Sequence, residues 1–304
     1  MSDRIRVGVI GHGYFGTFHA RHYEALDGAE LVAIADPRPE AAEAIRAAYG
    51  DRHVPTHRDL IGKVDAVSVA VPTSRHAEVA KEMIDAGIHV LVEKPLADSV
   101  DEARRLVAEA QERGIVLNVG HIERFSATYQ RLKAEWTGEA RLIECRRLAP
   151  WRGRILDVDV VLDMMIHDLD LILDLVRDRP VEVSASGVEM MGHGFDAMLA
   201  RIVFAGGIVA HVAASRVAPA IMRTMAITEP RRTLSADLSV GRVGVFTAVP
   251  EPTTTEFDVP HHDSLRAEIE AFLASVAGRS GGGVRGEDAV AAMELAEAIR
   301  SSAT

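Results

Sequence analysis

Between Ile5 and Ile122 the chain repeats one rhythm, an apolar run of strand length followed by an amphipathic helical stretch, and this alternation restricts the fold more than any other feature. The apolar runs are "IRVGVIG", "AELVAIAD", "VDAVSVAVP", "HVLVEKP" and "VLNVGHI". Runs that are apolar at odd and even positions alike belong to strands buried on both faces, and helices between them make such strands parallel. Residues 1–122 therefore read as an α/β Rossmann domain, a doubly wound parallel sheet.

From residue 123 the grammar changes. Helices are expected near Ala127–Trp136, Asp157–Val176 and Glu287–Ser302, with a strand at Arg141–Leu148 and several alternating segments after residue 180. Gly206-Gly207 between two apolar runs signals a hairpin. Residues 123–304 thus read as an α+β C-terminal domain with a large, mostly antiparallel open sheet, serving substrate binding and oligomerisation, its C-terminal helix free to pack back on the first domain. The broad apolar strands "AMLARIVF" and "IVAHVAA" would be satisfied by a second subunit, so a homodimer or homotetramer is expected.

The formal net charge of −11 argues against a nucleic-acid or anionic-membrane surface, since both require a basic field. Cys145 is the only cysteine, which excludes an intramolecular disulfide and a thiolate metal cluster, and it reads as a small buried hydrophobe. No metal is expected. The N-terminal segment lacks the pattern of a secretory signal and no run approaches the roughly 20 apolar residues of a spanning helix, so a cytoplasmic location is expected.

"GHGYFG" (Gly11–Gly16) lies between the first strand and the first helix, and Asp36 ends the next strand. In that context the spacing is a dinucleotide fingerprint. Gly11 permits the tight turn, Gly13 lets the backbone approach a pyrophosphate, and Gly16 lets helix and strand pack closely. The N–H groups around Tyr14 and Phe15 offer an anion site at a helix N-terminus. Asp36 would accept from a ribose 2′-hydroxyl and repel a 2′-phosphate, which points to NAD as the cofactor. Arg38, two residues on, either meets a phosphate or lies solvated against the adenine.

"VLVEKPLA" (Val90–Ala97), "VPTSRHAE" (Val71–Glu78), "GHIERF" (Gly120–Phe125) and "LDMMIHDLD" (Leu162–Asp170), together with the glycine turn, resemble the Gfo/Idh/MocA family of nicotinamide-dependent sugar and polyol dehydrogenases over essentially the whole chain. The resemblance implies that Lys94 and His167 flank a substrate hydroxyl. His167 would take its proton as base, Lys94 would polarise its oxygen, and Asp163 would orient the imidazole or bind a substrate hydroxyl. A histidine exchanges protons near neutrality and a lysine supplies a cation, so the pair suits that chemistry. The same resemblance places Glu93, Pro72, Thr73 and His76 along the cofactor and gives Pro95 a cis bond; from its position alone His76 reads equally as a helix-surface histidine. Asp163, His167 and Asp170, at i, i+4 and i+7, are expected on one face of a regular helix, where Asp170 and Asp174 also suit a solvated surface.

Within the family, "VDVVLDMMIHDLDLILDL" and "VGHIERF" look most like the branch that oxidises the 3-hydroxyl of UDP-N-acetylglucosamine for later transamination in lipid A precursor synthesis. Such a nucleotide-sugar substrate asks for cations at its diphosphate. "RRLAPWRGR" offers Arg146, Arg147, Arg152 and Arg154, with Arg124 a further candidate, although a basic loop paired with surface carboxylates accounts for the same run. Met165 stands where many members carry a small residue, which would reshape the floor of a pocket. A free polyol dehydrogenase, and a glycosidase that holds NAD and gives no net redox change, are the alternative activities. A regulatory nucleotide-binding protein fits poorly with the presence of Lys94, Asp163 and His167.

Overall fold

The computed structural model describes residues 4–151, 153, 158–192, 194–260, 262–279 and 282–304. It divides the chain into two compact units, Met1–His121 with Leu265–Val290, and Ile122–Ser264 with Ala291–Thr304.

The first unit is built on a six-stranded parallel sheet. Its strands are β1 (Ile5–Ile10), β2 (Ala29–Ala35), β3 (His53–Val54), β4 (Ala66–Val69), β5 (His89–Glu93) and β6 (Leu117–Gly120), in the spatial order 3-2-1-4-5-6. Val7, Val9, Ile34, Val67, Val69, Val90 and Val92 are fully buried, as strands covered on both faces require. Helices α1 (Tyr14–Ala25), α2 (Pro39–Tyr49), α3 (His76–Asp85) and α4 (Val100–Glu112) follow in turn, α1 lying on β1, β2 and β4, and α3 on β4 and β5. Strand order reverses between β1 and β4, so the segments leaving these two strands border the crevice in which doubly wound sheets bind ligands.

The second unit carries α5 (Ala127–Glu135), β7 (Leu142–Leu148), α6 (Ile166–Val176) and β8 to β14 (Pro180–Val188, Ala197–Phe204, Val209–Ser215, Met222–Thr228, Arg232–Asp237, Arg242–Thr247 and Thr253–Asp258). Its eight strands run in the order 14-13-12-11-7-10-9-8, antiparallel except where β7 meets β10. Alternate residues face the core: Met198, Ala200, Ile202 and Phe204 on β9, Ala210, Val212 and Ala214 on β10. Gly207, at φ 86°, closes the expected β9–β10 hairpin. Two further helices, α7 (Ser264–Val276) and α8 (Gly286–Ser302), follow the last strand. α7 is not among the expected helices. Among the described residues no helix is long and apolar enough to cross a membrane.

The expected helix over residues 157–176 departs from regularity. Val161–Met165 is a π turn, and α-helical geometry begins only at Ile166. A π turn holds more residues than an α turn, so Asp163 is out of phase with His167 and Asp170. The turn is started by Asp159, whose buried carboxylate accepts from the backbone N–H groups of Val161 and Leu162 at 3.1 and 3.2 Å and from Arg300 at 2.8 Å. Asp159→Ala is expected to destabilise the protein by about 1–2 kcal/mol through the lost cap, and Asp159→Asn by clearly less, because an amide oxygen still accepts from the backbone. Urea unfolding followed by circular dichroism gives both values, and equal losses would contradict the capping role.

Candidate functional site

The three glycines of the first turn differ in their physical demands. Gly11 has φ +90°, and a Cβ there would stand 2.5 Å from the carbonyl oxygen of Ala70, in the segment leaving β4. At Gly16 a Cβ would stand 1.8 Å from the carbonyl oxygen of Gly11, so only hydrogen fits between helix and turn. At Gly13 a Cβ meets no atom of the chain within 4 Å. The fold thus requires Gly11 and Gly16, while the open side of Gly13 is kept for something else. Gly13 also begins α1 without any side chain capping the helix, and Tyr14 and Phe15 are exposed beside it. Uncapped N–H groups over an unobstructed backbone fit a pyrophosphate.

Asp36 lies buried at the end of β2, adjoining this turn. One carboxylate oxygen accepts from the backbone N–H of His12 at 2.7 Å and from Arg38 Nη2 at 2.7 Å. The other accepts from Arg38 N at 3.0 Å and Nε at 2.9 Å. Burial alone would push the Asp36 carboxyl up, but the Arg38 guanidinium and the two amides hold it down at about 2. Arg38, half exposed, is therefore neither free in solvent nor turned outward but closed over the acid. A carboxylate has about four acceptor positions, so a ribose hydroxyl reaches Asp36 only if Arg38 yields one of them.

Lys94 follows β5 directly, and the Lys94–Pro95 peptide is cis. Glu93, the residue before it, accepts from His19 Nε2 at 2.8 Å, and the other imidazole nitrogen lies 2.9 Å from Ser68 Oγ, which lies 2.8 Å from the Tyr23 hydroxyl. Burial would raise the Glu93 carboxyl, yet His19, Lys94 and His76 hold it below the usual carboxylate range. Glu268 on α7 adds a third group whose ligand-type atoms lie within 4.8 Å of those of His19 and Glu93. Pro72 precedes a short 3-10 turn (Thr73–Arg75) in which Thr73 is buried, and His76 opens α3 with its ring buried. His76 is thus not the helix-surface histidine that its position alone equally allowed.

In the second unit Asp163 and His167 are partly exposed, whereas Met165 is fully buried in the core. Asp170 is not on a solvated face. It is buried and takes a two-pronged contact from Arg124, Nε at 2.8 Å and Nη2 at 2.7 Å, while Asp174 accepts from Lys133 at 2.6 Å. Arg147 is buried as well: Nε and Nη2 donate to Asp168 and Nη1 donates to Glu123 at 2.7 Å. Against its burial, these two carboxylates hold the Arg147 guanidinium well above its usual range. The pleat of β7 sends Arg146 to the exposed side and Arg147 to the core, so adjacent arginines do not form one surface. Arg152 and Arg154 lie outside the described residues. Glu123, Asp168, His19 and Ser68 had no sequence signal, because no spacing rule joins residue 123 to 147 or 19 to 93.

A doubly wound domain with an intact phosphate turn and an acid after the second strand, followed by an open-sheet domain, defines a nicotinamide-dinucleotide oxidoreductase. Residues 5–121 match the model described as "Oxidoreductase family, NAD-binding Rossmann fold", and residues 118–229 match the GFO/IDH/MocA C-terminal domain. A UDP-N-acetylglucosamine 3-dehydrogenase of Acidithiobacillus ferrooxidans is 39% identical over 280 residues, 90% of this chain and 89% of that one. A solved structure of that enzyme superposes with a TM-score of 0.93 over 99% of this chain and 98% of that one, at 36% identity. An inositol 2-dehydrogenase of Rhizobium meliloti is 26% identical over 325 residues, 98% of this chain and 97% of that one. The chain belongs to the Gfo/Idh/MocA oxidoreductase family and is an NAD(P)-binding dehydrogenase.

The glycine geometry separates folding from binding. Gly13→Ala is expected to leave stability within about 1 kcal/mol of the parent and to weaken cofactor binding at least about tenfold. Gly16→Ala is expected to be destabilised by several times as much. Thermal unfolding and calorimetric NAD titration of both variants check this, and full-affinity binding by Gly13→Ala would remove the phosphate assignment.

Proposed function

We propose that this chain is an NAD-dependent dehydrogenase that oxidises a secondary hydroxyl of a nucleotide-activated sugar, with C3 of UDP-N-acetylglucosamine as the reacting carbon. The observation that carries the reading is the likeness to the Acidithiobacillus 3-dehydrogenase, which extends over nine-tenths of both chains. Asp36 in its ionised state supports NAD over NADP, since a carboxylate repels a 2′-phosphate. Gly11, Gly13, Tyr14, Phe15, Gly16, Asp36, Arg38, Pro72, Thr73, Glu93 and Lys94 are proposed to form the cofactor side.

Bound NAD⁺ supplies the acceptor for the hydride that leaves the carbon. In the proposed mechanism His167 takes the hydroxyl proton, Lys94 places a positive charge at the oxygen as its bond order to carbon rises, and Asp163 holds the imidazole. Arg124 and Arg147 are proposed to serve the substrate side through the carboxylates they anchor, Asp170 and Asp168, which follow His167 on the same helix. Met165, being buried, acts on that side by filling space beneath the π turn.

The outward face of the large sheet exposes Leu199 and His211 beside Arg201. Such a face supports self-association as a homodimer or homotetramer. Sedimentation at micromolar concentration is expected to give a dimer or larger, and a monomer alone would overturn this.

The activity is read from NADH absorbance when protein, NAD⁺ and UDP-N-acetylglucosamine are mixed with a trap for the 3-keto product. NADH is expected to accumulate, and Lys94→Ala and His167→Ala are each expected to slow it by about 10²–10⁴-fold. Silence with the nucleotide sugar but turnover of inositol would replace the substrate with a free polyol, the activity of the Rhizobium relative. Cleavage of a glycoside without NADH release would place the chain with glycosidases.

A further inference from the structure

His76 is 2% exposed, and both of its ring nitrogens face backbone carbonyl oxygens: Nδ1 lies 2.7 Å from the oxygen of Pro95 and Nε2 lies 2.9 Å from that of Val71. A carbonyl oxygen only accepts. A neutral imidazole has one N–H to give, whereas an imidazolium has two, and both distances fall in the range of charge-assisted N–H···O bonds. A neutral ring would leave one nitrogen lone pair pressed against a carbonyl oxygen in a buried site, an unsatisfied and repulsive contact.

We propose that His76 is held as a buried imidazolium that ties the segment leaving β4 to the segment leaving β5, and that it is a positioning residue for Lys94 instead of a contact to the cofactor. Val71 follows β4 by two residues, and Pro95 is bonded directly to Lys94. A cation bridging the two carbonyls therefore fixes the main chain at the point where the Lys94 side chain begins. Glu93 supplies the compensating negative charge. Its carboxylate is only partly exposed, and the charged and titratable groups about it are His19 from α1, Glu268 from α7, Lys94 on its own segment and His76 from α3. The consequence for catalysis rests on the role proposed above for Lys94, whereas the charge on His76 does not depend on it.

The charge is read directly from ¹⁵N-labelled protein by correlating the His76 ring nitrogens with the ring carbon-bound protons, the spin system being assigned through the backbone. At about pH 8, where an ordinary histidine is neutral, both His76 nitrogens are expected to carry protons. One unprotonated nitrogen at that pH overturns the imidazolium. For positioning, His76→Gln and His76→Asn are expected to bind NAD within about threefold of the parent and to lose about 10- to 100-fold in kcat with little change in KM. In a Lys94→Ala background the same changes are expected to cost nothing further. An additive loss, or a weakening of NAD binding that matches the loss in kcat, overturns the positioning role. If no sugar is oxidised by the parent protein, the substrate reading fails while the nitrogen spectrum still decides the charge.

Discussion

The approach of α1 to the turn that precedes it governs the cofactor half of the molecule. At Gly16 the backbone passes so near the carbonyl oxygen of Gly11 that no side chain fits, and Gly11 itself is pressed against the carbonyl of Ala70 in a conformation that side chains disfavour. These two contacts bring the N-terminus of α1 over the ends of β1 and β4, at the reversal of strand order. The helix arrives without a capping side chain, so its first N–H groups are left for an anion. Asp36 is drawn into the same arrangement through the His12 amide, which sits inside the glycine turn. One steric requirement therefore sets the open, uncapped turn and the orientation of the acid beside it.

Buried charge organises the second unit in a different way. α6 buries both Asp168 and Asp170, and each is met by an arginine from elsewhere in the unit, Arg147 on β7 and Arg124 just before α5. Taking one partner away from such a pair typically costs about 3–5 kcal/mol, because the remaining charge is left uncompensated out of water. The pairs therefore help to fix the rotation of the helix. His167, the residue before Asp168, stays partly exposed on this helix, and the π turn before it takes Asp163 out of the phase that a regular helix would give it. An imidazole on a helix anchored through the aspartates that follow it has little freedom, which suits the proton-transfer role proposed for it.

The elements of the first unit were almost wholly legible, since strands that are apolar on both faces and the glycine turn are local patterns. The hairpin at Gly207 likewise follows from its dipeptide. The second unit was legible in class but not in detail. Arg147 is the instructive case: a basic run suggested a surface for a diphosphate, but strand alternation turned one arginine inward and the fold supplied two carboxylates for it. Asp170 likewise suits a solvated stripe by its spacing, but the fold sets Arg124 against it.

What the sequence by itself determined is what depends on neighbours along the chain: the parallel sheet, the phosphate turn, the acid after β2 and the family to which these motifs belong. Only the tertiary structure decided which polar side chains remain available for chemistry. His19 reaches Glu93 and His76 reaches the carbonyl of Pro95, each through a contact between side chain and partner that folding alone brings within 3 Å. Hydrogen bonds in buried places are obligatory, so the residues that answer one another are chosen by proximity in space. Proximity of that kind leaves no trace in spacing, and it separates a group that reacts from one that holds another in place.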